Sequence, residues 1–241
     1  MAGWDELFQG IVRAFQLILS GDPEVLRITF LSLRVSGSAV LIAALIGIPV
    51  GTIIALSAFR GKALVVSLLN TLMGLPPVVV GLVLYLLLSS YGPLGFFRLL
   101  YTPEAMIIAQ VLMATPVIAG VSLSSITSVD PRVREASVSL GADNIQQIRV
   151  VLNEARLGLI TSVVVGFGAA ISEVGAIMMV GGNLLGYTRA LTTAIVLLTN
   201  QGDFVEAIAL GMVLLIMAFS INVVLTLLQV KTKSGLFVTR K

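Results

Sequence analysis

The chain has 241 residues, 57% of them hydrophobic and only 11% charged, with a mean hydropathy of +1.06. That much apolar surface cannot be hidden inside one soluble core, so lipid must be the solvent of most of it. A net charge of +3 then belongs to loops facing the cytoplasm rather than to a nucleic-acid surface, and the absence of Cys and His excludes disulfides, thiolate nucleophiles, haem ligation and ordinary zinc sites.

Helix is the only span type expected, because an open strand edge cannot stay unpaired in hydrocarbon. The first ten residues, MAGWDELFQG, carry acids where a secretory signal would be basic, so no cleaved leader is expected. Trp4 to Leu19 is partly apolar but interrupted by Arg13, and it reads as an interfacial amphipathic helix, with a sixth span as the alternative. Asp22, Pro23 and Glu24 form a helix start, with a capping carboxylate and a first-turn proline. A helix beginning there carries Arg27 and Arg34 on nearly one face, either snorkelling to the interface or forming a positive rim for an anion or an acidic partner.

Five apolar stretches of about twenty residues follow. They run over 35–58, 64–89, 105–126, 157–180 and 204–230. Gly47 and Gly51 form a GxxxG pair suited to close helix packing. Pro76 and Pro77 in the second stretch and Pro116 in the third predict kinks. Between the fourth and fifth, residues 187–200 are apolar but too short to cross, which suggests a re-entrant or interfacial helix ended by the NQGD turn; Asp203 and Glu206 then resemble a capping box.

Orientation follows from the basic residues. Arg60, Lys62, Arg132, Arg134, Arg149, Arg156, Lys231, Lys233, Arg240 and Lys241 fall on one side, against Arg13, Arg27, Arg34, Arg98 and Arg189 on the other. The richer side is placed in the cytoplasm with the carboxy terminus, and the amino terminus outside.

A polar island at 130–156 interrupts this apolar chain. Asp130-Pro131 is a cap with a first-turn proline, Leu140-Gly141 a helix stop, and Asp143 with Gln146 a second capping box. Two short helices joined at Gly141 are predicted, the first with Val133, Ala136 and Leu140 on one side, and such a structured element between spans looks like a docking surface. The chain lacks its own P-loop: Gly61-Lys62 is followed by Ala63, and Leu56 stands where the first glycine should be. A shaped dock without a nucleotide site suits a subunit driven by a separate ATPase.

EASVSLG, Glu135 to Gly141, resembles the EAA signature of ABC-importer permeases, with Ser137 where a second Ala is usual and Leu152-Asn153-Glu154 where many members have Leu-Pro. GFGAAISEVGAIMMVGGNLLG, Gly166 to Gly186, together with SGDPEVLRITFLSLRVSG near the amino terminus, is similar to molybdate and tungstate permeases and closest to the tungstate type; that branch has Arg near the position of Ala169. The resemblance implies an all-α integral membrane protein of a single domain over 1–241. It would be a type I importer bundle of about five spans, with an amino-terminal interfacial or elbow segment over 1–34 and a cytoplasmic coupling region over 130–156.

It further implies a homodimer in the cytoplasmic (inner) membrane with two ATPase subunits inside, an oxyanion-binding protein outside, no cofactor, and alternating-access import of tungstate or molybdate. Coupling would fall to Glu135, Ala136, Ser137, Gly141, Ala142 and Asp143. A sulfate or phosphate permease is the alternative within the class. A secondary carrier or channel is the alternative outside it, disfavoured by the scarcity of buried ionisable relays.

Glu173 is the one clear acid deep in a predicted span. It must be neutral, paired or wet there. Either it contacts a hydroxyl, Arg or Lys of another span, or it is a gate residue beside an anion path, with Met178, Met179 and Val180 as an apolar constriction and Asn183 in the outer turn. An unpaired carboxylate would repel an oxyanion, so it is not a substrate ligand. Gly166, Ala170 and Gly175 read as close-packing positions.

Overall fold

The computed structural model describes residues 2–238, and every regular element among them is helical. In chain order these are α1 (Ala2–Ser20), α2 (Pro23–Leu56), α3 (Lys62–Met73), α4 (Pro77–Leu88), a short 3-10 helix (Gly95–Phe97), α5 (Pro103–Thr127) and α6 (Pro131–Ser139). Then follow α7 (Asn144–Glu154), α8 (Arg156–Ile171), α9 (Gly175–Gly181), α10 (Leu191–Gln201) and α11 (Phe204–Val238). Arg240, Lys241 and the side chains of Lys231 and Lys233, used in the charge asymmetry, lie outside the described residues.

α2 starts where the Asp22 carboxylate accepts the N–H groups of Glu24 and Val25 at 2.9 and 3.1 Å, and it runs unbroken through Arg34 into the first expected span. At its far end Lys62 donates to the carbonyls of Ala55 and Ser57 at 2.9 and 3.0 Å, a cation on carbonyls the helix can no longer satisfy. α2 and α5 form the centre of the bundle. A Cβ at Gly47 would lie 2.9 Å from the Thr115 carbonyl oxygen and one at Gly51 would lie 2.5 Å from that of Ala119, so the GxxxG pair does bring the two backbones together. α5 passes through buried Pro116 as one continuous helix.

Among the described residues three helical segments are long and apolar enough to cross a membrane, Pro23–Leu56, Pro103–Thr127 and Phe204–Leu227, or up to five if each of two bent pairs counts as one. The second expected stretch, 64–89, is the first such pair: α3 and α4 meet at 91° across Gly74 to Pro76, a break rather than a kink. Pro76 and Pro77 both lack the N–H that would carry the helix across, and Pro77 serves as the first residue of α4. The fourth stretch, 157–180, is also divided, into α8 and α9 with Ser172, Glu173 and Val174 between. α7 and α8 make the second bent pair, turning 64° at Ala155, so the chain returns to the bundle without the usual proline.

α1 packs on the first turns of α11 through Ala14, Leu17 and Ala209, and Arg13 donates to Glu206 at 2.6 Å. Asp203 accepts the Glu206 N–H at 3.3 Å, but with the Glu206 carboxylate on Arg13 the capping box is only half made. α10 is the short helix expected after Tyr187, ending at Gly202 in the left-handed conformation.

Candidate functional site

Two regions carry the side chains singled out by sequence, and they lie at different ends of the molecule. The first is the α6–α7 pair. Asp130 accepts the Arg132 N–H at 2.9 Å, and the Asp143–Gln146 capping box makes both of its bonds, at 2.8 and 2.9 Å. Between the helices Gly141 has φ +81, with no atom within 4 Å of where a Cβ would be. Its requirement is therefore conformational and not steric. Arg134 donates to Gln147 at 3.4 Å and Gln147 donates to the Ala142 carbonyl at 3.0 Å, which ties the two helices together across the turn.

The inward face of α6 differs from the expected one. Ser137 is buried, donating to the Arg134 carbonyl, and Val133 is half-buried, whereas Ala136 and Leu140 are exposed. The reason is the turn at Gly141, which brings Gln147 back over the Arg134 side of α6. Leu140 and Ile145 are 88% and 74% exposed, and Val138 stands with them, so apolar side chains project from a polar element. Glu135 is exposed and makes no ion pair among the described residues. It borders a groove of about 570 Å³ with Pro131, Val138 and Gln147. The base of the pair is anchored: Val151 and Ala155 are buried with Ile126 of α5, against Ala55 and Leu56 of α2.

The second region is the break before α9. Glu173 is buried, but in the break and not inside a helix, and its partners are main-chain groups: Oε1 accepts the Ala176 N–H at 2.9 Å and Oε2 accepts the Ile177 N–H at 3.0 Å. No Arg, Lys or hydroxyl from another helix meets the carboxylate among the described residues; the Thr192 hydroxyl donates instead to the Glu173 carbonyl at 3.0 Å. Gln110 of α5 donates to the Ala170 carbonyl at 2.8 Å, which also takes the Glu173 N–H at 3.3 Å where α8 ends. A carboxylate at the start of a helix also meets the positive end of its dipole. The break is thus closed by hydrogen bonds on both sides, as buried backbone requires.

Val180 is fully buried in the core with Met106 and Leu88, and Met178 and Met179 are half-buried, Met179 lying over Gly81 of α4. Asn183 has φ +49 and donates to the Thr193 carbonyl at 3.4 Å. Tyr101, also left-handed, donates its N–H to the Val180 carbonyl at 2.8 Å and covers Gly182 with its ring. Gly166 lies against Ile118 and Gly175 against Val78, in keeping with close packing. Gln110 and Thr192 were not anticipated from sequence; a lone Gln in an otherwise uncharged span was the available signal for the first.

The family model of the binding-protein-dependent transport system inner membrane component matches residues 47–233. The tungstate uptake system permease protein TupB of Peptoclostridium acidaminophilum is 46% identical over 92% of this chain and 97% of its own length. That of Campylobacter jejuni is 35% identical over 90% of this chain and 91% of its own. Among solved structures, a bacterial ABC transporter involved in the import of the acidic polysaccharide alginate superposes with a TM-score of 0.71 at 21% identity, over 93% of this chain and 83% of that one. At that identity the likeness speaks for the fold.

Proposed function

The chain belongs to the family of binding-protein-dependent transport system inner membrane components, and from that membership we propose that it is the membrane-spanning subunit of an ATP-driven importer of a tetrahedral oxyanion, tungstate or its near analogue molybdate. It is a permease, a transport subunit that catalyses no covalent reaction of its own. The observation that carries the choice of cargo is the 46% identity to a tungstate uptake permease along nearly the whole of both chains.

The working unit in this reading is a homodimer, bound by two ATPase subunits at α6–α7 and by an oxyanion-binding protein at the opposite end. Glu135, Ala136, Ser137, Gly141, Ala142 and Asp143 form the coupling element. The exposed Leu140 and Ile145 supply apolar area for the ATPase, and the free Glu135 carboxylate a partner for a basic group. Displacement of this element reaches α2 and α5 through buried Val151 and Ala155. Packed interiors transmit such movement because they do not compress. The gate is assigned to α9 and its flanks, with Glu173, Met178, Met179, Val180 and Asn183, since a seven-residue helix interrupted on both sides is held by individual hydrogen bonds and can reorient as a unit.

Vesicles holding the permease with its ATPase and an oxyanion-binding protein, supplied with ATP on the ATPase side and no ion gradient, should accumulate tungstate. Uptake that ignores ATP and follows an imposed ion gradient contradicts the reading.

A further inference from the structure

A cavity of about 520 Å³ opens at the end of the molecule opposite α6–α7. Its place follows from α2, whose first turns line it while its last residues, Ala55 and Leu56, pack beside Val151 of α7. Three guanidinium groups face it, those of Arg27, Arg34 and Arg189, with Glu24 as the one acid in the lining. Compensation is poor. Arg189 reaches Glu24 only at 3.9 Å and keeps a buried Nε without a partner, Arg34 meets Glu104 at 3.5 Å, and Arg27 makes no ion pair among the described residues. Arg27 is laid over Gly186, with its Nη1 3.4 Å from where a Cβ would stand.

The rest of the wall is apolar and open. Phe30, Leu185 and Tyr187 are 69%, 62% and 51% exposed beside the arginines. A free inorganic oxyanion is small and needs donors on every side, so it leaves this wall unused. An amphiphile uses both parts, setting a charged oxygen-rich head on the guanidiniums and hydrocarbon on the aromatic and aliphatic side. We propose that this cavity binds an anionic phospholipid, its phosphate held by Arg27, Arg34 and Arg189 and its acyl chains lying along Phe30 and Leu185. The site depends only on the chain being embedded in a membrane and is independent of the cargo.

The test is to titrate the purified permease in detergent with phosphatidylglycerol or phosphatidylcholine and count lipid adducts by native mass spectrometry. Phosphatidylglycerol should be preferred, and Arg27→Gln with Arg34→Gln should weaken it about 30-fold, at roughly fivefold per basic residue near a headgroup. Arg60→Gln, at the other end of α2, should change nothing. Arg27→Gln alone, at a residue with no ion pair to lose, gives a readout if the double variant fails to fold. Equal binding of the two lipids, unchanged phosphatidylglycerol binding in the Arg27 variants, or an equal loss in Arg60→Gln overturns the proposal. Displacement of the lipid by millimolar tungstate or inorganic phosphate also overturns it and assigns the cavity to a free oxyanion.

Discussion

Oε2 of Glu173 accepts the main-chain N–H of Ile177 at 3.0 Å, while its other oxygen takes the N–H of Ala176. A buried acid out of place in a continuous span thereby satisfies the first free N–H groups of a new helix, from the position just before its N-cap residue Val174. Glu173→Gln keeps one acceptor and sets an amide N–H₂ against a backbone donor, so one buried N–H loses its partner at a cost of roughly 1–3 kcal/mol. The expected outcome is a lower melting temperature of the purified permease, with uptake reduced in step. Uptake abolished at an unchanged melting temperature would assign the charge itself to gating.

Gly51 tests the contact on which the bundle is centred. A Cβ there would stand 2.5 Å from the Ala119 carbonyl oxygen, whereas one at Gly37 on the same helix would meet nothing within 4 Å. Gly51→Ala should therefore destabilise by about 1–3 kcal/mol, as overpacking does. Gly37→Ala should be neutral or mildly stabilising, since Ala is the better helix former. Thermal unfolding of both variants in detergent checks the difference; equal melting temperatures would mean that α2 and α5 can separate freely at Gly51.

Much of the local punctuation was legible because its partners are neighbours in sequence. Asp22 caps α2, Asp130 caps α6, Asp143 and Gln146 close their box, and Gly141 and Gly202 end helices, each through groups a few residues apart. At Glu173 the carboxylate also acts locally, on Ala176 and Ile177, but the break itself was hidden because the carbonyls around it are met from afar, by Thr192 on α10 and Gln110 on α5. The same holds for α6, whose buried residue is chosen by α7 folding back and not by its own apolar pattern. Arg27 and Arg34 could be placed on one face from spacing alone, but Arg189 joins them only through the fold.

Sidedness can be read with single cysteines, because the chain has none of its own. Ser139→Cys on α6 should react with an impermeant maleimide only from the cytoplasm, and Leu184→Cys, exposed after α9, only from outside. Labelling of both from one side would contradict the opposed placement of the dock and the gate.

Glu135→Ala should weaken ATPase retention mildly, since a single exposed ion pair is commonly worth no more than about 1 kcal/mol. Retention measured by pull-down of the ATPase on immobilised permease should fall a few-fold at most. Leu140→Asp, which puts a charge where an 88% exposed leucine stands, should have the larger effect, because burying an unpaired carboxylate under a partner costs more than losing a rim contact. The reverse order would mean that charge, and not apolar area, holds the ATPase.

In the proposed mechanism ATP hydrolysis drives oxyanion import through the α6–α7 turn, and Gly141 fixes the geometry of that turn. With φ +81 and open space around it, Gly141→Val strains the turn without touching any span or meeting any atom, at a cost of roughly 1–2 kcal/mol. The measurement is the ratio of tungstate taken up to ATP hydrolysed in vesicles containing the assembled transporter, for the wild-type chain and for Gly141→Val. A variant that inserts normally yet shows a lower ratio is expected, because hydrolysis then continues without the turn carrying it into transport. A wild-type ratio in Gly141→Val would contradict it.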